Sequence, residues 1–266
     1  MNSAGREPER ARIAGDFVEA LSRNGVAYQP EFTGSGASEI VQTQATTILA
    51  FKYEDGVMVA GDRRATAGNV VVYERADKVL EIDRHSVMAI AGVPATAWEM
   101  ARVLEHSFHF YRRTQMQEMS VDGKVRALSK LLRDNFGFAM QGIGVVVPLF
   151  ATYDELEPGG RLYFYDVMGA QFEVTDFAAS GSGSPAVRAI LHYENHWGKK
   201  PLDGRSEKDA VSLALRALET AAESDTATGG VDRRAHVYPV IKTITKKGVE
   251  TISEKTLASI YEKGMP

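Results

Sequence analysis

The chain has 266 residues, of which 44% are hydrophobic and 25% charged, with a formal net charge of −4, the profile of an ordinary water-soluble globular protein. A pI near 5.9 argues against a basic nucleic-acid surface, and the absence of cysteine excludes disulfides, thiolate zinc sites and a cysteine nucleophile. The longest apolar run, over 145–151, is interrupted by Pro148, and the N-terminal stretch carries Glu7, Glu9, Asp16 and Glu19 in place of a signal-peptide core, so the expected location is cytoplasmic, with no membrane and no nucleic acid as partner.

The first 45 residues read as a polar leader. Ile13, Phe17, Val18 and Leu21 fall at helical spacing and predict a short amphipathic helix over 7–23, ended by Asn24-Gly25. Thr33-Gly34-Ser35-Gly36 then reads as a flexible link. At Ala45-Thr46-Thr47-Ile48 the text turns abruptly β-rich, with alternating strands over 46–53 and 57–61 around a turn at Glu54-Asp55-Gly56. Strands over 78–82 and 86–91 follow, joined at Asp83-Arg84-His85. Next come two helical stripes: Ala97, Ala101, Leu104, Phe108 and Tyr111, with Pro94 near the start, and Val125, Leu128, Leu131, Leu132 and Phe136, with Ser120 or Asp122 as N-cap. A strand group is expected over 143–153, 161–167 and 172–177, then helices over 185–197 and 206–224, the second opened by Ser206 with Asp209 three residues on. Strands over 236–245 and 249–252 and a short helix after Ser253 close the chain.

No strand–helix–strand alternation appears in this order, so the strands pair with their turn-linked neighbours and the sheets are antiparallel. The predicted fold class is α+β, a four-layer α-β-β-α sandwich of two antiparallel sheets, each covered by helices on one face.

The threonine junction carries the sharpest chemical expectation. A mid-chain threonine has a weakly acidic hydroxyl and no base beside it. Cleavage between Ala45 and Thr46 would give Thr46 a free α-amine, which titrates near roughly 7.7–8.0, where a general base works well at neutral pH. One cut would supply nucleophile and base together. Asp62 ends the second strand and Lys78 opens a later one. Singly, each reads as a turn or strand-end residue. Beside a terminal threonine, the ammonium would lower the proton affinity of its oxygen and the carboxylate would keep the ammonium charged. Gly92, ending an MAIAG strand, could offer its N–H to an oxyanion or simply make a turn. Ser180-Gly181-Ser182-Gly183-Ser184-Pro185 fails the tests for a phosphate loop and fits a tight turn that presents Ser182. Asp225 follows a helix at its dipole-unfavourable end, which suggests a duty beyond capping. His192 and His196 flank Glu194 in HYENH, which is not HExxH, and neither they nor His106 and His109 are assigned a metal.

Read together, TTI, AGDRRAT, the lysine, IAG, GSGSP and DTATGG, in this order, closely resemble the catalytic β subunit of the bacterial, actinobacterial-type proteasome core particle, from Thr46 to the C-terminus. The resemblance implies an N-terminal-nucleophile hydrolase, a threonine-type endopeptidase with a 1–45 propeptide that removes itself from a catalytic domain at 46–266. It implies no cofactor and no metal. The expected partners are proteasome α subunits, other β subunits in seven-membered rings, unfolded polypeptide substrates and, indirectly through the α ring, a regulatory ATPase. Position by position, it makes Thr46 the nucleophile, Asp62 and Lys78 the pair that tunes it, and Gly92 the oxyanion donor. Ser182, Asp225 and Thr228 become the group that orients the amine and its water. Thr66 would contact the substrate backbone, and Ala65, Ala76, Leu80 and Ile90 would line the specificity pocket.

Three departures stand out. Ala45 replaces the usual glycine before the nucleophile, Thr228 stands where serine is common, and Pro94 removes a backbone N–H that usually pairs with substrate. Competing readings are a non-catalytic ring subunit, the shorter two-ring threonine peptidase relative, which lacks DTATGG, and a small-molecule amidase of the same nucleophile class. The leader is expected to assist assembly.

Overall fold

A computed structural model describes residues 46–68 and 70–263. The predicted leader helix, Ala45 and the peptide bond before Thr46 lie outside these residues. Strands β1 (Thr47–Tyr53), β2 (Gly56–Gly61), β10 (Phe177–Gly181), β11 (Val240–Thr245) and β12 (Gly248–Thr251) form one antiparallel sheet in the order β10-β1-β2-β11-β12. Strands β5 (Val79–Asp83), β6 (Ser86–Ala89), β7 (Leu149–Asp154), β8 (Gly159–Tyr165) and β9 (Gln171–Glu173) form the second, in simple sequential order. The hairpin β3 (Ala65–Ala67) and β4 (Val70–Tyr73) stands apart from both.

The period-two pattern of the strands explains the layering. Ile48, Ala50, Val57 and Val59 point between the sheets, where they meet Val79, Val87, Ala89, Leu149, Ala151 and Leu162. Alternate residues Leu49, Phe51, Met58 and Ala60 face outward onto helices α3 (Ser184–His196) and α4 (Glu207–Ser224). On the other sheet, Met88 and Phe150 face α1 (Pro94–Gln115) and α2 (Val121–Met140). Four layers result, α-β-β-α, as the element order predicts.

Local chemistry sets the helix starts. Ser120, Ser206 and Ser253 accept hydrogen bonds from the amides three residues on and open α2, α4 and the last helix, α5 (Glu254–Glu262). Pro94 occupies the first turn of α1, where no amide is needed. Among the described residues no helix is long and apolar enough to cross a membrane.

Several expected boundaries move. The strand expected over 143–153 begins only at Leu149, because Gly142 and Gly144 take positive φ (74° and 75°) and Pro148 lacks a donor. Before β7, only Val146 makes an isolated bridge, to Gly92. The segment 172–177 is not one strand: it ends β9 at one sheet's edge and starts β10 at the edge of the other. The strand expected from 236 starts at Val240, following a left-handed His236 (φ 53°). The β3–β4 hairpin is new. Its Val70–Tyr73 strand is exposed throughout, so no inside/outside alternation marks it in the sequence.

Candidate active site

Three chain segments meet at the N-terminal end of β1. Thr46 sits one residue before the strand, Asp62 one residue after β2, and Ser182 one residue after β10. Both neighbours of β1 pair with it antiparallel, so their C-terminal ends arrive where β1 begins. Thr46 O accepts the Ser182 N–H (3.0 Å) and Thr47 N–H donates to Asp62 Oδ1 (2.8 Å), which pins both faces of the peptide unit joining the two threonines. Gly181 makes this approach possible. It has a φ of 94°, and a Cβ there would collide with the Thr46 carbonyl.

Asp62 is completely buried. Its Oδ1 accepts from Thr47 N–H and from Lys78 Nζ (2.6 Å), and its Oδ2 accepts from the amides of Arg64 and Gly229, each at 2.9 Å. Four donors on one carboxylate satisfy its acceptor sites and hold it in place. Lys78, itself only 4% exposed, also donates to the Arg64 carbonyl. Burial pushes the Lys78 ammonium below its ordinary pKa, and the adjacent Asp62 carboxylate opposes that fall.

Asp225 lies just beyond α4. Its Oδ2 accepts from Ser182 Oγ and Thr228 Oγ1, both at 2.6 Å. Partial burial would raise its pKa, but the Ser182, Thr228 and Ala227 hydrogen bonds and the Lys78 charge more than offset that and hold the carboxyl below its ordinary value. Thr228 is fully buried, and Arg64 fastens its loop through the carbonyls of Thr226 and Thr228.

Thr46 opens onto a cleft of about 520 Å³ between the β3–β4 hairpin and the start of α1. Ala65, Ala76, Lys78, Ile90 and Gly92 line it with Thr46, and so does Pro94. Gly92 has a φ of 116° and bridges Val146 between the Val93 N–H to Val145 O and Val147 N–H to Ala91 O bonds. In such a pair the glycine N–H points away from Val146. Ile90, two residues earlier, donates to Lys78 O, so the edge that bears the Gly92 amide runs beside Lys78.

The structure thus brings Thr46, Asp62, Lys78, Gly92, Ser182, Asp225 and Thr228 to one end of the sandwich. Of the expected pocket residues, Ala65, Ala76 and Ile90 line the cleft. Leu80 is not in the lining: it shares the Lys78 side of the β5 pleat but lies one repeat further along the strand, where it packs against the α1–α2 core. Thr66, 5% exposed and paired with Val71 in the hairpin, lies outside the lining. His192 and His196 stack on each other on the exposed face of α3, with ring centroids 4.2 Å apart, and neither lines the cleft.

Sequence reading passed over several contributors. Val72, Tyr73, Trp98 and Ile143 supply most of the further apolar wall, and Asp77 adds a carboxylate that already accepts the Val79 N–H. Thr47, Gly183 and Gly229 bind within the hydrogen-bond network. The last three had a signal, since each stands beside a residue of the motifs already singled out. The wall residues had none, because they belong to an unrecognised hairpin and to exposed or loop positions.

Residues 42–237 match the family described as "Proteasome subunit". The chain is 39% identical over 249 residues to "Proteasome subunit beta 2" of Thermomonospora curvata, covering 92% of this chain and 86% of that protein. It is 37% identical over 245 residues to "Proteasome subunit beta" of Acidimicrobium ferrooxidans (92% and 87%), and 36% identical over 256 residues to the protein of the same description from Streptosporangium roseum (91% and 88%). With a threonine, a buried lysine–aspartate pair and an apolar cleft at the shared end of its sheets, and with relatives matched over most of their length, this chain belongs to the proteasome subunit family.

Proposed function

We propose that this protein is a catalytic β subunit of a proteasome core particle, a threonine-type endopeptidase whose nucleophile is Thr46, freed by cleavage after Ala45. The observation that carries the proposal is the placement of Thr46 at an apolar cleft whose wall includes Lys78, with that ammonium bound by a fully buried Asp62. A non-catalytic subunit has no use for a buried ion pair at this point, since removing such charges in favour of apolar packing is often neutral or stabilising.

In this reading the Thr46 α-amine takes the hydroxyl proton as Thr46 Oγ attacks the peptide carbonyl. Lys78 favours the developing alkoxide, and the Gly92 N–H stabilises the oxyanion. The tetrahedral intermediate collapses by breaking the C–N bond, and the α-ammonium returns its proton to the departing amine. A water, deprotonated by the same amine, then hydrolyses the ester to release the acid and restore Thr46. Ser182, whose proton is committed to Asp225, presents only lone pairs to the amine and so orients it. The partners are α subunits, further β subunits in seven-membered rings and unfolded polypeptides, with a regulatory ATPase acting through the α ring.

The N-terminus of the mature chain tests the assignment. Intact-mass analysis of assembled particles is expected to find Thr46 first. A chain that starts at Thr47, or one that is active while uncut, would falsify the mechanism.

The cleft also sets specificity. Ala65, Ala76, Ile90, Val72 and Trp98 make its wall largely apolar, and the Lys78 charge is committed to Asp62. A substrate carboxylate would be desolvated beside Asp77, whereas a guanidinium would meet that carboxylate only at an exposed position. Fluorogenic peptides ending in Leu, Tyr or Phe are expected to be cut at least about tenfold faster than those ending in Arg, with Glu slowest. Preference among the apolar residues should be broad, because a methylene discriminates by only about 1–3 kcal/mol. Cleavage after Arg at or above the apolar rate would show that this cleft does not receive the side chain before the cut.

A further inference from the structure

Thr47 joins the two carboxylates of the site. Its amide donates to Asp62 Oδ1, the oxygen that also binds Lys78. Its hydroxyl lies 2.5 Å from Thr228 Oγ1 and accepts the Gly183 N–H at 3.0 Å. Both threonine side chains are fully buried.

The direction of these bonds follows from proton counting. Asp225 can only accept, so Thr228 Oγ1 gives its single proton to Asp225 Oδ2. The contact between the threonines therefore has Thr47 as donor. One chain runs from the Gly183 N–H through Thr47 and Thr228 to Asp225, with every hydroxyl proton assigned. Gly183 has no room for a side chain here: a Cβ would stand 2.6 Å from both threonine oxygens. The 182–183 turn is thereby held against Thr47, and the same turn fixes the Thr46 carbonyl through the Ser182 N–H.

We propose that Thr47 is a positioning residue, whose hydroxyl locks Thr228, Asp225 and the 182–183 turn against the start of β1 and so aims Thr46. The proposal rests on the reading of Thr46 as the nucleophile. Without the hydroxyl, Gly183 N–H loses its acceptor and Thr228 its donor in a dry site, where unpaired groups are costly. The turn then relaxes and Thr46 is misaimed, while the cleft that binds substrate is untouched. A misplacement of roughly 1 Å can cost on the order of a hundredfold in rate.

Two substitutions separate hydroxyl from methyl. Thr47→Val keeps the shape and removes the oxygen; Thr47→Ser keeps the oxygen and removes the methyl. In assembled particles whose chains start at Thr46 by intact mass, Thr47→Val is expected to lower kcat on a fluorogenic peptide at least about tenfold with KM within about threefold. Thr47→Ser should stay within about threefold of wild type in both. An unchanged kcat in Thr47→Val, or Thr47→Ser as slow as Thr47→Val, overturns the proposal. If Thr47→Val does not mature, Thr47→Ala is compared with Thr47→Ser, and equal kcat in those two overturns it. Particles with Thr47 intact whose turnover survives Thr46→Ala would instead remove the nucleophile assignment, an outcome distinct from an inert Thr47.

Discussion

Thr46→Ala is expected to abolish peptide hydrolysis, with a fall in kcat of at least about a thousandfold, and to leave the leader attached. The substitution deletes the hydroxyl that lines the cleft and that the proposed cleavage after Ala45 would join to an α-amine on the same residue. Thr47 cannot take over. It is fully buried, and its hydroxyl is bound to Gly183 and Thr228 on the opposite side of the strand from the cleft-facing residues. Folding should survive, because the carbonyl of residue 46 still accepts from Ser182 and the amide of Thr47 still reaches Asp62. Assembled particles carrying Thr46→Ala, checked by intact mass and by turnover of a Leu-ending peptide, measure both effects. Turnover above a tenth of wild type would mean that another group performs the attack.

Lys78→Met is expected to be nearly as damaging, for a different reason. Methionine matches the length of the lysine stem but brings no charge, so the Thr46 alkoxide loses its cation and kcat should fall at least about a hundredfold. Asp62 would lose one of its four donors and remain buried, and breaking a buried pair in this way costs about 3–5 kcal/mol of stability. Asp62→Asn separates the two consequences. Its NH₂ group would face amide or ammonium donors on every side, because Thr47, Arg64, Gly229 and Lys78 all donate. Asp62→Asn should therefore lower the melting temperature and also kcat, whereas Lys78→Met should lose activity even where the particle is fully folded. Peptide turnover and thermal unfolding of both variants make the comparison. Near-normal kcat in folded Lys78→Met particles would exclude the lysine from the reaction.

The chain by itself determined the layers. Alternation in 47–53 and 56–61, the helical stripes over α1 and α2, and serines at three helix starts are local statements, and local physics fixes them: side-chain direction repeats every two residues in a strand and every 3.6 in a helix, and a cap needs only its own first turn. Thr46, Asp62 and Lys78 were legible as polar residues where strands begin or end. Singly, Asp62 and Lys78 read as turn or strand-end residues, and only their combination with a terminal threonine and the family resemblance marked them as a candidate site. Tertiary structure decided what these residues touch. Asp62 becomes a fully donated carboxylate only because Gly229, from a loop 167 positions away, delivers an amide to it. Leu80 leaves the pocket because it lies further along β5 than Lys78 and packs into the α1–α2 core, whereas Tyr73 and Val72 enter from a hairpin with no alternation and Trp98 from the first turns of α1. The split of 172–177 between two sheets likewise depends on which edges are vacant after the other strands have paired. Thr47 shows the division most clearly. In the sequence it is the second of two adjacent threonines, and only the pleat, which sends neighbouring side chains to opposite faces, assigns the first to the cleft and the second to the buried hydroxyl chain that ends at Asp225.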